Sequence, residues 1–118
     1  MANPWAGEVA VWLDGRRHVA RLTLGALAEL EAELAEGSMI AMVERFETGA
    51  FSTRDVLALL VAGLRGGGWQ GTVEDLRTVE IGGGPVEAAR VAATLLTRAF
   101  TVPGSAPGTA SGMGPGRR

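Results

Sequence analysis

The chain has 118 residues, of which 47% are hydrophobic, and a formal net charge of -2, which fits a single domain with one modest core. It contains no cysteine and no lysine, so disulfides, thiolate nucleophiles, cysteine-ligated zinc and lysine chemistry are all excluded. A mildly acidic chain with scattered arginines also does not predict a nucleic-acid-binding protein.

The N-terminal stretch MANPWAGEV has neither a basic region nor an apolar core of the kind found in signal peptides. The longest apolar run, residues 56–64, is too short to cross a bilayer. We therefore expect a cytoplasmic protein that does not contact a membrane.

Residues 8–24 predict a β-hairpin, because Asp14-Gly15 is a strong signal for a two-residue type I′ turn. The expected cross-strand pairs are Leu13 with Arg16, Val11 with His18, Val9 with Ala20, and Glu8 with Arg21. One face then collects Val9, Val11, Leu13, Ala20 and Leu22, whereas the polar face holds Glu8, Trp12, Arg17 and Arg21.

Two helices are predicted next. The first, LGALAELEAELAEG, ends at Gly37 and is expected to bury the stripe Leu24, Leu27, Leu30 and Leu34. The second, SMIAMVERFETG, is expected to begin at an N-cap Ser38 and to end at Gly49. Its apolar side consists of Met39, Ile40, Met42, Val43 and Phe46.

Three more helical segments follow. Ser52 and Asp55 resemble a capping box at the start of a nearly all-apolar helix, which predicts the most buried helix of the domain. Thr72 caps the short segment VEDLRTVE. Pro85 is placed for the first turn of a last helix, whose expected stripe is Val86, Ala89, Ala93, Leu96 and Phe100.

The predicted fold is therefore α+β, with an N-terminal β-hairpin followed by a compact bundle of four to five short helices. Residues 1–103 are expected to form the single domain. Residues 104–118 are rich in glycine, proline and serine, with almost no large apolar side chains, so we expect a disordered tail.

Residues 66–71, GGGWQG, match the G-x-G-x-x-G pattern of dinucleotide-binding folds. That pattern requires a strand before the glycines and a second parallel strand after the helix. Here a helix is predicted before them, and the later segment IGGGP does not read as a strand. We interpret both glycine runs as helix terminators and linkers, and we expect no cofactor.

No catalytic or metal-binding constellation is apparent in the sequence. His18 is the single histidine, and it lacks the second histidine or cysteine that a metal site needs. Glu29 and Glu33 share a predicted helix face that is expected to be solvated. Ser52 and Thr72 occupy capping positions. The sequence thus predicts a protein that is not an enzyme and holds no metal.

The remaining functional candidates are apolar. Trp5, Trp12 and Trp69 do not fall on obvious core positions, and aromatic side chains are enriched in protein interfaces. We therefore hypothesise a partner-binding surface, with core packing of the same side chains as the open alternative. Its proposed members are Met39, Met42, Phe46 and Trp69.

Three stretches of the chain resemble the small gene transfer agent family proteins that are grouped with phage tail assembly chaperones. They are GEVAVWLDGRRHVARLTLGALAELEAEL, ERFETGAFSTRDVLALLVAGLRGGGW and IGGGPVEAARVAATLLTRAF. The resemblance covers roughly residues 3–103. It implies a non-enzymatic chaperone that shields the tape measure protein and assists assembly of tail tube protein. A minor structural component of the tail is the alternative that it leaves open.

Overall fold

A computed structural model describes residues 7–33 and 39–100, except for the side chain of Glu33. Strands β1 (Val9–Leu13) and β2 (Arg16–Ala20) form an antiparallel ribbon. The turn residues Asp14 and Gly15 have φ of 49° and 81°, the positive values that a type I′ turn requires. The predicted pairs of Leu13, Val11 and Val9 are confirmed, and the described ladder ends at Val9–Ala20.

Five helices follow the ribbon, so the predicted α+β fold class is confirmed. They are α1 (Leu24–Glu33), α2 (Met39–Thr48), α3 (Thr53–Gly66), α4 (Val73–Thr78) and α5 (Gly84–Ala99).

Local side-chain chemistry sets most of the helix boundaries. Ser52 and Thr72 both form reciprocal capping boxes, with Asp55 and Asp75 respectively, which satisfies backbone N–H groups that have no partner inside the helix. Gly49 has φ of +78° and ends α2 as predicted. A cap absent from our sequence prediction is the Thr23 hydroxyl, which accepts from the backbone N–H of Ala26 at 3.0 Å.

Helix α3 is the centre of the core and contacts α1, α4, α5 and β2. Leu59, Leu60 and Leu64 have no exposed surface, which confirms the prediction that this helix is the most buried. The inner face of the ribbon packs on α3 and α5, through Val9, Val11, Leu13 and Ala20.

Both edges of the two-stranded ribbon are partly covered, and glycines make this possible. At the β2 edge, the backbone N–H of Arg21 donates to the Gly63 carbonyl at 2.8 Å, and a Cβ on Gly67 would lie 1.9 Å from the Val19 carbonyl oxygen. The end of α3 therefore approaches the strand too closely for any side chain. The first glycine run is thus a packing element as well as a helix terminator.

At the β1 edge, the second glycine run, residues 82–84, directly follows a residue that pairs with β1. Ile81 forms an isolated antiparallel bridge with Leu13, and the N–H of Gly82 donates to the Trp12 carbonyl at 2.9 Å. The interpretation of IGGGP as having no strand character is therefore corrected at Ile81. Its bridge supplies hydrogen bonds to a strand edge that would otherwise remain open.

The predicted apolar faces of α1 and α2 are largely confirmed, with Leu30, Met39 and Met42 buried, whereas the buried face of α5 is rotated relative to the prediction. Leu24, Ile40 and Val86 were expected in apolar stripes, yet they are 85%, 73% and 83% exposed. Phe100, at the end of the stripe predicted for α5, is also exposed. The buried face of α5 consists instead of Ala88, Val91, Ala92, Leu95 and Leu96. Helices α1 and α5 are rich in alanine and leucine, so their apolar arcs are wide, and contact with α3 and, for α5, with the ribbon selects which part is buried.

Other predictions fall outside the described residues. They concern Trp5, Leu34, Gly37, Ser38 and the tail at residues 104–118.

Candidate functional site

The four side chains predicted to bind a partner occupy different environments. Met42 has no exposed surface and Met39 is buried as well, both within the hydrophobic core. Phe46 and Trp69 are half-buried and pack against that core. The geometry thus favours the core alternative for the two methionines, whereas contact of Phe46 and Trp69 with a partner stays a prediction.

Phe46 and Trp69 belong to separate local clusters. The ring of Phe46 stacks on Phe51 with centroids 4.5 Å apart and an interplanar angle of 5°, which fixes the corner between α2 and α3. The indole of Trp69 lies against Gly71, where a Cβ would be 2.2 Å from the ring. Trp69 also lines a shallow concavity of about 590 Å³ beside the start of α1.

A groove with a volume of about 850 Å³ runs along the outer side of α3. Leu57, Ala58 and Val61 form its apolar floor. The rim is charged, and its carboxylates are matched by arginines. The ion pairs are Arg45 with Asp55 at 2.8 Å, Arg65 with Glu29 at 3.2 Å, and Arg77 with Glu74 at 4.0 Å.

Asp55 links the groove rim to the start of α3. Both of its carboxylate oxygens accept from the guanidinium of Arg45, at 2.9 and 2.8 Å, and Oδ2 also accepts from the backbone N–H of Ser52 at 3.0 Å. The hydrogen bonds from Arg45 hold the pKa of Asp55 below its ordinary value against the opposing effect of burial. Asp55 is therefore a structural carboxylate, whose charge fixes α2 against α3.

Several side chains considered as catalytic candidates act as helix caps or form an ion pair. Ser52 and Thr72 are helix caps, and Glu29 pairs with Arg65. The glycine-rich segment at residues 66–71 follows the C-terminus of α3, whose carbonyl end repels phosphate. Within residues 7–33 and 39–100, no group of three or more histidine and acidic side chains is placed to hold a metal.

Two further surfaces carry exposed side chains; the first lies on the hairpin face predicted to be polar, and the second was missed in the sequence. The first, the hairpin patch, lies on the outer face of the ribbon and consists of the exposed Trp12 and Arg17 and the half-buried Val19 and Arg21. The second, the α2 patch, consists of Ile40, Glu44 and Glu47. The spacing of the α2 patch at i, i+4 and i+7 could have identified it, but Ile40 had been assigned to the buried side.

The described surface has an apolar groove with a charged rim, and exposed apolar side chains on the ribbon and helices. A family model described as phage tail tube protein, GTA-gp10, matches residues 6–102. The match spans every described strand and helix. The chain therefore belongs to this family of gene transfer agent and phage tail proteins, which is a structural family.

The search of curated proteins and the search of solved structures gave no match. Among the described helices, the longest is α5 with 16 residues, and none is both long and apolar enough to span a membrane.

Proposed function

We propose that this protein is a structural component of the tail of a gene transfer agent, associated with the tail tube. The observation that carries the proposal is the family match over residues 6–102, because it includes the whole described fold. A tail component acts by contact with its neighbours, and the α3 groove and the exposed patches are surfaces suited to such contacts.

A second candidate is a tail assembly chaperone that shields the tape measure protein and helps tail tube protein to assemble around it. Exposed apolar side chains support this candidate, with Leu24 on α1, Val86 on α5 and Phe100 next to it. Such side chains can cover an apolar segment of a partner and release it again, because each contributes only a modest area. In this candidate the tape measure protein and the tail tube protein are both partners.

The two functions differ in where the protein is found after assembly. A strain that produces the particles would carry a tagged copy of this chain, and purified particles would be analysed by quantitative mass spectrometry. A tail component is expected in fixed ratio to the tail tube protein. A chaperone is expected in the producing cells and absent from the finished particles.

Deletion of the coding sequence supplies the second arm of the experiment. Either role predicts particles with missing or malformed tails, and restoration of normal tails by the parent chain is the control. Normal tails after deletion, together with absence of the protein from particles, would contradict both candidates.

A further inference from the structure

We infer that the hairpin patch of one copy binds the α2 patch of a second copy of this chain. The contact joins two different surfaces, so each molecule offers one surface to each of two neighbours. This inference deepens the proposed structural role and rests on it for its biological meaning, although its test does not depend on particles.

The hairpin patch has the composition of an interface centre. Trp12 is 49% exposed and lies directly across the ribbon from the exposed side chain of Arg17. Val19 and Arg21 follow at alternate positions of the same chain segment and therefore share the outer face. Tryptophan and arginine are the residue types most enriched among side chains that dominate binding energy.

The two arginines of the hairpin patch, Arg17 and Arg21, lack a carboxylate partner in the part of the chain that the structure describes. Elsewhere on the described surface, Arg65, Arg77 and Arg90 each form an ion pair with a carboxylate, namely Glu29, Glu74 and Glu87 respectively. The patch thus combines an apolar centre with two arginines that form no ion pair among the described residues, in a chain whose net charge is -2.

The α2 patch has the complementary chemistry. Ile40 is 73% exposed, and Glu44 and Glu47 are exposed one and two turns further along the same side of α2. No ion pair to either carboxylate is found in the described part of the chain. An exposed aliphatic side chain beside two carboxylates is complementary to an exposed indole beside two guanidinium groups, and none of the four charged groups forms an ion pair among the described residues.

Helix α2, which carries the α2 patch, makes no extensive contact with the ribbon, which carries the hairpin patch. One molecule is therefore not expected to satisfy both patches by itself. A contact between two different surfaces repeats head to tail, and it closes into a ring or continues as a filament, depending on the rotation per copy. Repetition of this kind is what a component of a tubular structure needs.

The size of the patches sets the expected strength. The outer face of the ribbon has strands of five residues, about 17 Å long at the usual rise, and therefore covers less than the roughly 800 Å² per partner of a stable interface. We expect weak association of the isolated protein, with Kd of micromolar or higher. Opposite charges across the contact should also make the association weaken as salt increases.

The test is sedimentation velocity of the full chain over a wide concentration range, at low and high salt. Trp12→Ala is expected to weaken self-association about 10-fold or more, since truncating a central tryptophan has effects of this size. Two charge-reversed variants provide the sharper test: Arg17→Glu/Arg21→Glu on the hairpin patch and Glu44→Arg/Glu47→Arg on the α2 patch. Each should be monomeric alone, because like charges then face each other.

Mixing the two reversed variants should restore association, because every contact between the different copies then joins opposite charges. Arg54→Glu and Glu31→Arg serve as matched controls, since both residues are exposed and lie outside the two patches. Circular dichroism establishes that each variant is folded.

A parent chain that stays monomeric at every concentration and at low salt would overturn the inference. Self-association of each charge-reversed variant alone, at the strength of the parent, would also overturn it. So would a mixture of the two reversed variants that stays monomeric although each variant is folded. These failures would leave the proposed tail function intact, because that function is tested by the content of purified particles.

Discussion

The close approach of α3 to β2 gives a quantitative prediction for Gly67→Ala. Gly67 has φ of -91°, outside the positive-φ region that favours glycine, so steric contact rather than backbone conformation is the main obstacle to a side chain there. Its new Cβ would lie 1.9 Å from the Val19 carbonyl oxygen and 2.9 Å from the carbonyl carbon. The obstacle is backbone of a paired strand, so the helix end and the strand must separate by about 1 Å to reach a tolerable contact.

The cost follows from what that separation disturbs. Overpacking typically costs about 1–3 kcal/mol, and the nearby hydrogen bond from Arg21 to the Gly63 carbonyl contributes about 1 kcal/mol more if it is lost. We expect Gly67→Ala to lower the free energy of unfolding by about 3 kcal/mol in total. For a domain of this size that corresponds to a fall in Tm of roughly 15 °C.

Urea unfolding followed by circular dichroism measures this cost. Gly25→Ala is the matched control, because Gly25 lies in α1 and a Cβ there meets only the Thr23 hydroxyl at 3.9 Å. Alanine is favoured over glycine in a helix, so the control should gain about 0.5–1 kcal/mol. A Gly67→Ala variant within about 0.5 kcal/mol of the parent, the range of ordinary surface changes, would refute the argument from close approach.

The remaining predictions concern the core, one carboxylate and the C-terminal segment. Leu60→Ala should lower the free energy of unfolding by about 2–5 kcal/mol because Leu60 is fully buried, and a cost under about 1 kcal/mol would contradict its central position. Met42→Ser should lower the free energy of unfolding by at least as much as a typical core truncation, measured in the same way. A folded variant as stable as the parent would indicate instead that Met42 lies on the surface. Asp55→Asn should cost about 2 kcal/mol at pH 7 through its hydrogen bonds with Arg45. Because the folded pKa of Asp55 is lowered, its charge stabilises the fold above about pH 4 and this contribution is lost as the pH falls further, so the difference between parent and variant should narrow in acid. Deletion of residues 104–118 should leave Tm within a few degrees of the parent, as expected from their composition, and a larger fall would show that they contribute to the fold.

The proposed assembly role connects these features. The Arg45–Asp55 interaction fixes α2 on α3, and the glycine contacts fix β2 on α3. The elements that carry the α2 patch and the hairpin patch are therefore both held against the same central helix, α3. Loss of either attachment should alter the relative position of the two patches, and with it any head-to-tail assembly.

Much of the fold could be predicted from short-range sequence signals. The Asp14-Gly15 pair determines both the turn and the register, because only a two-residue turn with positive φ matches the twist of the strands. The capping boxes at Ser52 and Thr72 determine where α3 and α4 begin. Each of these signals depends on atoms within about four residues, so the sequence alone contains the information.

The orientation of the helices and the candidate surfaces were decided by tertiary structure. In α1, α2 and α5, apolar residues cover more than one side, so Leu24, Ile40 and Val86 were as plausible in the core as their neighbours. Met42 was likewise as plausible on the surface as inside. The close contact of Gly67 with Val19 joins residues 48 positions apart, which no local pattern encodes. Only the packing of α3 against its neighbours decides which apolar side chains are buried and which remain available to a partner.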